Sequence, residues 1–163
     1  MTAPIPIELE VPTPEVDREI YVMPAFTTLP VTDLERAARW YGHLGFVVLA
    51  EMGAGPGRLV HLRRYRYQDL LLVQRAATDD PPIAAGARTS FSHTGPLEEL
   101  EAMATALATD GTGEVAGPEA MPWHAIELRA TDADGHTVVL TAAPSELPDP
   151  SALEVLGLRM PEA

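Results

Sequence analysis

Phe26-Thr27-Thr28-Leu29-Pro30-Val31-Thr32-Asp33-Leu34-Glu35 changes its backbone periodicity part-way along. Phe26 to Val31 has the β-branched and apolar content of a strand. Thr32 and Glu35 then stand at the Thr-x-x-Glu spacing in which a hydroxyl and a carboxylate satisfy opposite free amides at a helix start. Leu34, Ala37, Ala38, Tyr41 and Leu44 recur at helical spacing and Gly45 is a C-terminal stop, which predicts a helix of about three turns. Three short apolar segments follow at 46–52, 58–64 and 68–74, separated by the Gly53 to Gly57 loop and an Arg/Tyr turn. The order is βαβββ.

Beyond a polar, Pro-containing linker at 78–86 the same order returns. Arg88 to His93 is strand-like, Pro96 sits where a first-turn proline is tolerated, and Leu97, Leu100, Ala104, Leu107 and Ala108 form a second helical stripe ended by Asp110-Gly111. Strands are expected at 114–116, 124–130 and 137–142, the last two joined by the turn Asp132-Ala133-Asp134-Gly135. The chain therefore reads as a duplicated βαβββ unit, α+β in class, with module one at 23–75 and module two at 87–143 of a single domain at 21–143. Outside it, residues 1–20 carry Pro4, Pro6, Pro12 and Pro14 and read as a Pro-rich arm, either disordered or packed on a partner subunit. Residues 144–163 form a tail in which Ser151 would cap a short helix closed by Gly157.

Composition removes several chemistries. The 163 residues contain no Cys, Lys or Asn, so thiolate catalysis, disulfides, lysine Schiff bases and N-glycosylation are excluded. A formal net charge of −13 opposes binding of nucleic acid. No apolar run approaches the ~20 residues of a membrane-spanning helix. The first ten residues lack the basic start and apolar stretch of a secretory signal, so a cytoplasmic location is expected.

Leu29-Pro30-Val31-Thr32-Asp33-Leu34-Glu35, then Trp40-Tyr41 and Leu44-Gly45-Phe46, with Pro122-Trp123 and Asp132-Ala133-Asp134-Gly135-His136 in the second half, resemble the vicinal oxygen chelate superfamily, the glyoxalase/bleomycin-resistance group. The resemblance implies two modules forming a curled mixed sheet around a cleft, assembled as a homodimer. It also implies a divalent metal held by His, Gln or Glu on the first and last strands of each module. Counted from the family's motifs, those places fall on Phe26, near Leu71, near Thr89 and on Val139, none of which is a customary ligand. His43 reads as a helix-end residue and His136 as an exposed turn residue. His61 and His93 with Glu127 could form an improvised metal site, although hydrogen-bonded strand histidines are the simpler reading.

Strand alternation assigns side chains to the cleft. With Leu29 and Val31 under the helix, Phe26 and Thr28 face the cleft. His61 and Arg63 oppose Val60 and Leu62, Glu127 and Arg129 oppose Ile126 and Leu128, and Val139 opposes Val138 and Leu140. Leu71, Phe91 and His93 join them as ligand-contacting candidates. Trp123, after Met121-Pro122, either stacks on a flat or cationic ligand or anchors its loop in the core. Arg63-Arg64-Tyr65-Arg66-Tyr67 reads as a solvated hairpin turn. The expected function is metal-free binding of a small molecule, with no cofactor: sequestration of an antibiotic or an aromatic or cationic natural product, as in the bleomycin-resistance proteins. The alternative is a lyase, isomerase or dioxygenase with an atypical metal site or metal-free acid–base residues.

Overall fold

The computed structural model describes residues 16, 18, 23, 25–66, 68–77 and 88–145. The expected N-terminal arm (apart from residues 16 and 18), the 78–86 linker and the tail helix after Ser151 lie outside them. The elements run β1 (Phe26–Val31), α1 (Leu34–His43), β2 (Val47–Met52), β3 (Leu59–Arg64), β4 (Gln68–Gln74), β5 (Arg88–His93), α2 (Leu97–Asp110), β6 (Glu114–Met121), β7 (Ala125–Thr131) and β8 (Thr137–Ala142). This is the duplicated βαβββ order. Each module forms its own four-stranded sheet, β1-β4-β3-β2 and β5-β8-β7-β6. In each, the first strand pairs parallel with the last and the other pairs are antiparallel.

Two local expectations shift. Asp33, not Thr32, caps α1, its carboxylate accepting from the Arg36 amide at 2.8 Å. The Thr32 hydroxyl is taken by Asp134 of the other module at 3.0 Å, and Glu35 is paired with Arg58 at 2.6 Å. β6 continues to Met121 instead of stopping at Ala116, because its register shifts between Ala116 and Glu119 and pairing then resumes. Gly117 makes this bulge feasible: its φ is 89°, and a Cβ there would lie 2.4 Å from the Glu127 carbonyl oxygen. Pro118 is accommodated because it sits at the bulge of an edge strand.

The core is one cluster shared by both modules. Leu29, Val31, Val60, Leu62, Leu70 and Leu72 come from the helix-bearing face of the first sheet, and Leu128, Ala130, Val138, Leu140 and Ala142 from that of the second. Trp40 and Tyr41 of α1 and Leu100, Met103 and Leu107 of α2 fill the space between. Polar bonds join the modules with a near-twofold symmetry. His136 of the β7–β8 turn bonds the Pro30 carbonyl at 2.7 Å, while Arg64 and Gln68 flanking the β3–β4 turn donate to the Ser92 carbonyl at 3.1 and 2.6 Å. His136 is thus a joint between modules and not a free turn residue. Among the described residues no helix is long and apolar enough to cross a membrane.

Candidate functional site

Both helix-bearing faces enter the core, and the opposite face of each sheet, its open face, is packed against neither described helix, although Val139, Glu127, His61, Arg63 and Asp69 on it are buried. On the first sheet the register places Phe26 beside Asp69 and Asp69 beside Arg63. The next row places Thr28 beside Leu71, Leu71 beside His61 and His61 beside Ala50. Phe26 and Thr28 are exposed, whereas His61, Arg63 and Asp69 are buried. Asp69 Oδ1 accepts from His61 Nε2 at 2.6 Å and from Arg63 Nε at 2.7 Å. The structure thus gathers Phe26, Thr28, His61, Arg63 and Leu71 on one face, as alternation predicts, and adds Asp69. Sequence reasoning assigned no role to that carboxylate. The signal was available in the hairpin count, which sets residue 69 directly opposite residue 63.

The open face of the second sheet carries Val139, Arg129 and Glu127, with Val139 opposite Arg129 and Glu127 opposite Thr141. Trp123 stands in the β6–β7 turn, 53% exposed, and donates from Nε1 to Glu127 Oε1 at 3.2 Å. That exposure is incompatible with a core anchor and leaves the indole face available. Arg129 is paired with Glu119 and lies 3.8 Å from Glu127 Oε2.

Phe91 and His93 do not belong to this face. Phe91 packs edge-on against Phe46 with ring centroids 5.6 Å apart and leans on the core. His93 bonds Arg64 through Nδ1 and the Pro96 carbonyl through Nε2 at 3.1 Å. Their parity on β5 is that of Thr89, which also turns to the helix side and meets Thr27 at 3.4 Å. The open-face positions of β5 are therefore Arg88, Ser90 and Ser92. Burial lowers the His93 pKa, only partly opposed by the Pro96 carbonyl, and burial likewise lowers that of Arg64 to about 10. Arg63 and Arg64 are fully buried and serve as interior anchors, which corrects the expectation for these two, while Tyr65 and Arg66 form the turn itself, with Arg66 exposed. A cavity of about 430 Å³ lies at the β5–α2 junction, lined by His93, Gly95, Pro96, Leu97 and Ser145, away from both open faces.

The metal that the fold family implies does not fit these residues. Phe26, Leu71 and Val139 offer no donor atom, Thr89 points to the helix side, and Ser90 beside Val139 is a weak ligand. Among the described residues no three His, Asp or Glu side chains converge as a metal site.

Comparison with known proteins agrees with this architecture. No curated protein matches the sequence. Among solved structures, an antibiotic-binding protein from Streptomyces sp. CB03234 shares 24% identity over 77% of this chain and 98% of its own, with a TM-score of 0.55. A glyoxalase/bleomycin resistance protein from the same organism shares 25% identity over 71% of this chain and 96% of its own, TM-score 0.52. A bleomycin-binding protein complexed with bleomycin shares 21% over 74% and 98%, TM-score 0.52. Residues 24–140 match the Glyoxalase/Bleomycin resistance protein/Dioxygenase superfamily, and the chain belongs to that family.

Proposed function

We propose that this protein binds a small organic molecule without a metal and sequesters it, the ligand being an antibiotic or a related aromatic or cationic natural product. The observation that carries this reading is the content of the open faces. Where the family would place metal ligands stand Phe26, Leu71 and Val139, and Trp123 is exposed nearby in sequence to the charged pair Glu127 and Arg129. Apolar walls with a few oriented charges are the usual makeup of a small-molecule site, and exposed aromatic rings stack on flat or cationic groups. A net charge of −13 favours a basic ligand. One copy offers two open faces, so the reading includes a homodimer in which the first sheet of one copy faces the second sheet of another.

Native mass spectrometry with elemental analysis, on protein purified without chelator and then titrated with bleomycin and other antibiotics, tests all three parts. The expected result is a metal-free dimer that captures one of these drugs, with Phe26→Ala and Trp123→Ala each weakening capture by about tenfold. Stoichiometric transition metal would overturn the metal-free assignment. A monomer at micromolar concentration would overturn the paired faces, and undiminished capture by both variants would remove the site.

A further inference from the structure

We propose that the open face of the first sheet carries an acid–base centre in which His61 is a general base and Asp69 its positioning residue, a role that goes beyond ligand capture and does not depend on it. Asp69 is fully buried, and its Oδ1 receives both His61 Nε2 and Arg63 Nε. A carboxylate paired with a permanently charged guanidinium accepts hydrogen bonds and does not donate them, so Nε2 of His61 carries the ring proton. In the neutral ring Nδ1 is then left with a lone pair. That nitrogen has no hydrogen-bond partner among the described residues and is not among the buried unpartnered atoms, so it keeps some solvent contact although the residue is only 5% exposed. Asp69 Oδ2 is buried without a hydrogen bond. Loading two donors on one oxygen while the other stays unsatisfied is costly for a purely structural ion pair, and it holds the imidazole at a fixed angle.

The surroundings supply what a general base needs. Leu71 sits beside His61 in the ladder, with Thr28 beyond it and exposed Phe26 one row away, giving the imidazole apolar neighbours on the same face. Arg63 offsets the Asp69 charge inside the sheet. A ligand seated there would place an acidic C–H or O–H, activated by a neighbouring electron-withdrawing group, within reach of Nδ1. The step transfers one proton to the imidazole and leaves the electron pair on the ligand, so it requires no oxidant, reductant or second reactant. The substrate class is a small aromatic carbon or oxygen acid.

A nitrobenzisoxazole is a suitable probe: removal of its ring C–H proton breaks the N–O bond and releases a coloured cyanophenolate, with the proton left on the base. The full chain is expected to accelerate this opening well above free imidazole at equal concentration, and His61→Gln to lower the rate by about a hundredfold. Gln keeps an amide donor for Asp69, and circular dichroism reports whether that variant is folded. Asp69→Asn is expected to lower the rate by about tenfold or more by releasing the tautomer. Nitrogen-detected NMR of the wild-type histidines, which needs no variant, is expected to show His61 protonated at Nε2 and bare at Nδ1. A wild-type rate no faster than free imidazole, full activity in folded His61→Gln, or a proton on Nδ1 would each overturn the assignment. Capture of bleomycin in the absence of this activity would leave the binding reading standing and remove this one.

Discussion

The Tyr41 hydroxyl lies 2.7 Å from Asp132 Oδ2 inside the core, while Asp132 Oδ1 accepts from the Asp134 and His136 amides at 3.0 and 2.9 Å. One buried carboxylate therefore organises the β7–β8 turn and ties α1 of the first module to it. Burial raises the Tyr41 pKa well above its usual value, with the Asp132 charge acting in the same direction, so the phenol stays a donor throughout the ordinary pH range. Tyr41→Phe removes that donor and leaves a carboxylate oxygen short of a partner. It is expected to cost about 2 kcal/mol, read from urea unfolding at neutral pH. Such a bond was not legible in the sequence, where Tyr41 is simply one member of an apolar stripe, because its partner is 91 positions away.

The two helices, similar in pattern, are held at their N-termini by different means. α1 has the Asp33 carboxylate on the Arg36 amide, whereas α2 begins at Pro96 with no side-chain cap. Both end in glycine turns where the sequence put them, Gly45 with φ 87° and Gly111 with φ 67°. Asp33→Ala is expected to destabilise the protein by about 1 kcal/mol, measured by thermal or urea unfolding. Thr32→Val, by contrast, would act through the contact with Asp134 and not through the helix. Periodicity and turn residues placed most strands within a residue, since those signals are local. The exceptions were the cap, which depends on where Asp134 lands, and β6, whose second half is recovered only because β7 lies alongside to pair with it.

Across the whole molecule, Asp110 at the end of α2 binds Arg39 of α1 at 2.9 Å and His43 at 3.1 Å, and it also takes the Thr112 hydroxyl. Burial alone would raise its pKa, but the hydrogen bonds from Thr112, Arg39 and His43 outweigh it and hold the folded value at about 2. An unfolded aspartate titrates near ~3.9. Between those values the unfolded chain binds the extra proton, so this contribution is complete above about pH 4 and is lost as the pH falls towards 2. Asp110→Asn is expected to lower stability at pH 7 and to flatten the loss between pH 4 and 2, measured as urea midpoints across that range. The modules share one core, so a single unfolding transition is expected in both proteins.

The sequence by itself determined the duplicated βαβββ order, the positions of both helices and the faces of the strands other than β5. Each of these follows from residue spacing within one element, through the periods of helix and strand and the few residues that tolerate turn geometry. It also determined that Phe26, Leu71 and Val139 could not be metal ligands, because side-chain chemistry needs no coordinates. Only the tertiary structure decided that Phe91 and His93 belong to the helix side, that Arg63 and Arg64 are interior, and that Asp69 joins His61. Those outcomes depend on strand register and on how the two sheets meet. A shift of one residue exchanges the faces of a strand, and a buried charge is tolerated only where another module or strand brings its partner.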